Sequence, residues 1–221
     1  MRTRIYAWLD ERLGLSSAIL PILRLPVPRD VNWGYVFGSA TLVAFVLQVV
    51  TGVALAFTYV PAPNSAYDSL QFITHHAILG RVVRGIHYFG ASAMVVLAVV
   101  HAARVFLTGS FKYPRELTWL TGVLLLVLTF GMALTGQLLR WNQNAYWSVV
   151  VAAEQAARTP IIGPILAQIV IAGQTVGGAT LTRFYATHVF LLPALIFALI
   201  VAHLYLVVWH GLSEPPRIGQ P

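Results

Sequence analysis

Four histidines carry the chemistry that this sequence can do. His87 and His101 lie 14 residues apart in one apolar stretch, and His188 and His203 lie 15 apart in another. On an α-helix, 14 residues return to within about 40° of the starting direction and 15 to within about 60°. Each pair therefore occupies one face of its helix. The rise within a pair is roughly 21 Å for the first and 22 to 23 Å for the second. If the two helices run side by side, His87 faces His188 and His101 faces His203, at two levels inside a hydrocarbon core of about 30 Å. A lone histidine in an apolar run is ordinarily a hydrogen-bonded core residue. Two matched spacings of an ionisable side chain, costly in lipid and usually functional there, favour ligation. Two imidazoles per level, with no carboxylate or thiolate, do not make a zinc site. Two imidazoles on opposite faces of a flat macrocycle suit haem iron, and with both axial positions filled such a haem carries electrons and does not bind oxygen.

The elements that must position these residues are membrane helices. The chain is 58% hydrophobic and 10% charged, with mean hydropathy +0.76, against about 25% charged in ordinary globular chains. There is no cysteine, which excludes disulfides, iron–sulfur ligation and thioether attachment of a cofactor. The net charge of +7 does not indicate nucleic acid, because the basic residues flank apolar spans. Residues 1–30 lack the continuous apolar core of a cleaved signal peptide. Their arginines alternate with Ile5, Trp8, Leu9, Leu13 and Leu15 at helical spacing, which predicts an amphipathic helix on the membrane surface.

The fold class expected is all-α: an integral membrane four-helix bundle binding two haems. Its dihaem domain covers 31–210, with spans at about 33–59, 85–104, 117–138 and 184–209 and a C-terminal tail at 211–221. Pro61 and Pro63 stop the first span. His75 and His76 follow in what reads as a loop; being adjacent, they point apart. The stretch Ile161 to Gly173 is apolar but too short to cross, and reads as short interfacial helices. Pro193 is tolerable inside the last span if neighbours satisfy the freed carbonyl. Four spans put both termini on one side. That side carries nine of the fourteen lysines and arginines, which places the termini in the cytoplasm, and His87 and His188 toward the outer face. Gly38 and Gly52 in the first span, and Gly122 and Gly136 in the third, repeat the 14-residue spacing. Such glycines could be ordinary small-residue helix packing. Beside the histidines, they read as places where a helix backbone approaches a macrocycle edge, Gly38 and Gly122 at the inner level and Gly52 and Gly136 at the outer.

With those residues in view, the sequence resembles the cytochrome b of Rieske/cytochrome b complexes (bc1/b6f type), closest to the short four-helix cytochrome b6 kind. RGIHYFGAS at 84–92, HAARVFLTGSFKYPRELTWLTG at 101–122 and LTRFYATHVFLLP at 181–193 carry the resemblance. It implies a lower-potential haem at His87/His188 and a higher-potential one at His101/His203. Arg84 matches a position near the propionates of the first, and Arg104 and Trp119 match positions near those of the second. Two features depart from the pattern. Val36 stands in the stretch where photosynthetic members carry a cysteine that tethers an extra haem, so no covalent haem is expected. Leu139-Arg140-Trp141 stands where the family commonly reads Leu-Pro-Trp. The Pro-Glu-Trp-Tyr motif of the family is absent from this chain.

The implied function is the dihaem subunit of a respiratory quinol:electron-acceptor oxidoreductase in the bacterial cytoplasmic membrane, contributing to a proton gradient. Quinol would be oxidised beside Arg140, Trp141 and Tyr146, and quinone reduced near Arg24, His210 and Arg217. The implied partners are a Rieske iron–sulfur protein, a separate three-helix subunit carrying the rest of cytochrome b, and a c-type cytochrome or other acceptor, in a dimeric complex. Histidine spacing alone leaves open a membrane cytochrome b of a dehydrogenase or hydrogenase, which would pass electrons to quinone without a Rieske partner; the local motifs argue against it.

Overall fold

The computed structural model describes residues 2–14, 16–17, 20, 24, 26–29, 31–173 and 175–214, and among these the fold is all-helical. The helices are α1 (Arg2–Leu13), α2 (Val36–Ala56, entered through a 3₁₀ turn at Trp33–Tyr35), α3 (Ala66–His75), α4 (Gly80–Leu107), α5 (Glu116–Leu138), α6 (Gln143–Ala157), α7 (Gly163–Ile171), α8 (Gly178–Ala186) and α9 (Leu192–His210). Helix α8 continues into α9 through a π turn at Thr187–Leu191. Four stretches are long and apolar enough to cross a membrane: Trp33–Ala56, Gly80–Leu107, Glu116–Leu138 and Gly178–His210.

The helices outrun the uncharged windows. Helix α4 begins five residues before the charge-free stretch that starts at 85, because Arg81 and Arg84 end the apolar run without breaking backbone hydrogen bonding. The segment holding His75 and His76 is not a loop: α3 forms there, with Asp68 in its first turn, favourable to the helix dipole, and Ala66, Ser69 and Ile73 buried. Helix α1 ends at Leu13, well short of residue 30, where the Asp10 carboxylate accepts from the Ser16 N–H (2.5 Å) and hydroxyl (2.7 Å). Those bonds hold the Asp10 carboxyl below its ordinary range. Leu15, part of the predicted surface stripe, lies outside the described residues.

Packing divides the bundle into two helix pairs. Helix α2 lies along α4, and α5 lies along α9. The histidine-bearing helices α4 and α9 are not themselves a close-packed pair, so the expected side-by-side arrangement becomes one in which they face each other across the bundle. The central core joins Ala44, Phe45, Met94 and Ile196, with Leu97, Leu125, Leu128, Met132 and Ile200 around them. Met94 lies midway between His87 and His101 in sequence, and Ile196 about midway between His188 and His203. This apolar plug therefore separates the two histidine levels. The accessible surface is 14807 Å², well above the roughly 10,000 Å² expected of a compact 24.2 kDa globule.

The end of the bundle nearer His101 and His203 is tied together by Arg115, just before α5. Its guanidinium donates to the carbonyls of Gly211 (3.2 Å, Nε) and His210 (3.2 Å, Nη2), which α9 leaves unpaired. Tyr35 donates to the Ser213 carbonyl at 2.7 Å. Arg115→Ala should free this end. We expect a loss of about 1.5–3 kcal/mol for the charge-assisted bonds, read as faster amide hydrogen exchange over 206–214 with α5 unaffected; unchanged exchange there would show that Arg115 does not hold the segment.

Candidate functional site

The His87/His188 level is built by α4 and the π turn. His87 and His188 lie with ring centroids 6.3 Å apart and planes at 82°. With metal–nitrogen bonds of about 2 Å and the ring centre ~1.1 Å beyond each nitrogen, two imidazoles on opposite sides of one metal have centroids about 6 Å apart. The separation suits an ion between the rings. At the second level His101 lies against Gly38 and His203 against Gly122. The unequal spacings, 14 and 15, are reconciled by the backbone. Pro193 has no N–H to give to residue 189, and the Leu192 N–H reaches back five residues to Thr187. The π turn takes up one extra residue, so that His188 and His203 share a face as His87 and His101 do on a regular helix.

Each predicted glycine lies against one histidine ring. A Cβ added at Gly38 would stand 3.0 Å from Cε1 of His101, one at Gly52 3.1 Å from that of His87, one at Gly122 3.2 Å from that of His203 and one at Gly136 2.6 Å from that of His188. The space that each glycine leaves is filled by the imidazole itself, where the sequence reading had assigned it to a macrocycle edge.

Three rings are also held through Nδ1. Thr51 meets His87, Thr121 meets His203 and Thr135 meets His188, each at 3.0 Å. Each threonine immediately precedes one of the glycines. Gln48 adds a further tie: its amide donates to the His87 carbonyl (2.9 Å) and accepts from the Ala91 N–H (3.1 Å). Any Cβ at Gly90 would overlap that amide. Sequence reasoning missed these four residues. The signal present was a Thr-Gly dipeptide at 51–52, 121–122 and 135–136.

The arginines suit an acidic ligand. Nη2 of Arg104 is buried without a hydrogen-bond partner, while its guanidinium lies 3.6 Å from the Tyr35 ring centre. A buried cationic donor lacking an acceptor fits a carboxylate such as a haem propionate. Arg84 bonds Thr74 and stands near Arg140, an arrangement of like charges that an acidic group would relieve. Among the described residues, neither Arg84 nor Arg104 forms an ion pair with a protein carboxylate. Trp119 packs on Phe111 and Phe106, with centroids at 5.7 and 6.3 Å.

At the end of the bundle nearer His87 and His188, Trp141 and Tyr146 share a cleft of about 660 Å³ with Tyr67, Asn142, Gln143 and Trp147. Arg140 is not in that cleft; it lines the adjoining groove with Gln137 and Trp147. The turn between them is pinned: Trp141, at φ +47°, donates through its indole to the Pro63 carbonyl (3.0 Å), and Tyr59 donates to the Leu139 carbonyl (2.8 Å). At the opposite end His210 closes α9, its Nδ1 against the Leu206 carbonyl at 3.1 Å. Arg24 sits in an exposed turn, and Arg217 lies outside the described residues.

Comparison with known proteins agrees with this architecture. The profile of the family described as Cytochrome b/b6/petB matches residues 22–211. The chain is 40% identical over 213 residues to cytochrome b6 of Crocosphaera subtropica, covering 96% of each protein. It is 42% identical over 210 residues to cytochrome b6 of Heliobacterium modesticaldum, covering 94% of this chain and 99% of that one. A solved structure described as a hyperthermophilic respiratory Complex III superposes with a TM-score of 0.85 at 30% identity, over 97% of this chain. This chain spans 58% of the length of that one. The chain therefore belongs to the cytochrome b/b6 family, the membrane cytochrome subunits of quinol-oxidising oxidoreductases.

Proposed function

We propose that this cytochrome b holds two non-covalent b-type haems, at His87/His188 and His101/His203, and works between an outer site of quinol oxidation and an inner site of quinone reduction. The observation that carries the reading is the doubled arrangement: two histidine pairs at two levels, each ring backed by glycine, with an apolar plug between. A haem held between two imidazoles supplies one-electron transfer with no open coordination position.

The chain's own residues then have distinct tasks. The four histidines present Nε2 to the site. Arg84 and Arg140 at the outer level, and Arg104 at the inner, hold the carboxylates. The Met94/Ile196 plug excludes water between the levels, so charge crossing there moves against the full membrane potential, at about 2.3 kcal/mol per charge per 100 mV. Trp141 and Tyr146 offer flat walls for a quinol ring, whose oxidation releases two protons and two electrons. One electron leaves to a Rieske iron–sulfur protein and onward to a c-type cytochrome or other acceptor. A separate three-helix subunit completes the outer pocket, and the complex is a dimer. Arg24, His210 and Arg217 serve the inner quinone. The charge bias of the loops supports cytoplasmic termini in a bacterial cytoplasmic membrane, with α1 lying on its inner surface.

Haem content tests the reading directly. Pyridine haemochrome analysis of the purified complex should give two b-type haems for this chain, none surviving denaturation on the polypeptide. One haem per chain, or haem that stays bound after denaturation, would refute it.

A further inference from the structure

The two histidine levels are not equivalent, and the difference is a single hydrogen bond. Thr51, Thr121 and Thr135 each donate their hydroxyl proton to a backbone carbonyl of the preceding turn: Leu47 (2.6 Å) for Thr51, Thr118 (2.9 Å) or Leu117 (3.0 Å) for Thr121, and Gly131 (2.8 Å) for Thr135. A hydroxyl has one proton. With it committed to the backbone, the oxygen facing the imidazole can only accept. The ring proton of His87, His203 and His188 must therefore sit on Nδ1, which leaves Nε2 bare on the side away from the threonine. His101 is the exception: its Nδ1 is buried without a partner. The reason lies in the sequence. Thr-Gly precedes three of the rings, but the dipeptide at the fourth is Phe37-Gly38, and the half-buried Phe37 side chain has no acceptor.

We infer that these threonines are positioning residues that set the electronic character of the axial histidines, and that Phe37, in the place of a fourth threonine, makes the inner level the more easily reduced. An acceptor at Nδ1 gives the imidazole more anionic character and makes Nε2 the stronger donor. That favours oxidised iron and lowers the reduction potential. The outer level has two acceptors, Thr51 and Thr135; the inner has one, Thr121. The inference rests on the dihaem reading above and adds to it the cause of the potential order.

Potentiometric titration of the intact complex, followed in the visible spectrum, tests this. Thr51→Val and Thr135→Val should each raise the lower potential, and Thr121→Val the higher one, by about tenfold in the reduction equilibrium, or ~59 mV for one electron. Serine at the same positions keeps the acceptor and should keep the wild-type potentials. Phe37→Thr should lower the higher potential relative to Phe37→Val, which matches its shape but offers no acceptor. Unchanged potentials in the valine variants, or equal shifts with serine and valine, would overturn the inference by reducing the threonines to packing. If a valine variant loses its haem, the Phe37 pair decides, and no difference between Thr and Val there overturns it. A wild-type complex that titrates as one component would instead overturn the dihaem reading itself.

Discussion

His87→Leu and His188→Leu should abolish the same redox component, and His101→Leu and His203→Leu the other. The expectation follows from the outer geometry, where the His87 and His188 rings stand 6.3 Å apart, and from the separation of the levels by the Met94/Ile196 plug. Leucine roughly conserves volume and adds no charge, so the bundle itself should survive the change. What would be lost is one of the two histidines proposed to hold that haem, and with it half of the b-type haem absorbance expected of the complex. Of the histidines left behind, His87, His188 and His203 keep their threonine contacts, and His101 has none to keep. Redox titration of the four single variants gives the answer. If His87→Leu and His101→Leu removed the same component, the assignment of levels would be wrong.

Gly136→Leu should disrupt the haem proposed at His87/His188, whereas Gly122→Leu should disrupt the one proposed at His101/His203 less severely. Even a methyl at Gly136 would stand 2.6 Å from Cε1 and 3.1 Å from Nε2 of His188. The neighbouring Thr135 grips the same ring at Nδ1, so the imidazole cannot swing aside without giving up that bond. The cost combines overpacking of about 1–3 kcal/mol with roughly 1 kcal/mol for the hydrogen bond, and the displaced Nε2 no longer faces its partner. At Gly122 the closest approach, to His203, is 3.2 Å, leaving more room to adjust. Gly131 is the control on the same helix: its Cβ would meet only Leu192, at 3.6 Å, and Gly131→Ala should be tolerated. Haem occupancy and both potentials are the readouts. Assembly of Gly136→Leu with both haems unperturbed would make these glycines ordinary packing residues.

What the sequence determined by itself is what depends on local periodicity and composition. The apolar runs predicted four crossing helices because length and charge decide partition into lipid. Matched histidine and glycine spacings put these residues at common heights because the helical rise is the same everywhere. The motifs at 84–92, 101–122 and 181–193 indicated the cytochrome b family, to which the chain does belong. Helix ends were less legible: Arg81 and Arg84 read as a boundary, yet a charged side chain at an interface does not interrupt the backbone ladder of α4. The segment at 66–75 read as loop because its amphipathic face gains from burial only against the rest of the bundle.

Tertiary structure decided the rest. Which ring each glycine receives depends on two helices brought together from positions 35 to 81 residues apart in the chain: Gly52 with His87, Gly136 with His188, Gly38 with His101 and Gly122 with His203. The threonine acceptors, the Gln48 clasp on α4 and the unpartnered Nδ1 of His101 are likewise contacts between helices, invisible to any window along one of them. The spacing of 15 between His188 and His203 looked like a 60° misalignment on a regular helix. Only the folded backbone shows it absorbed by the π turn before Pro193, because a sequence carries the missing N–H of a proline but not the partner that the freed carbonyl will find.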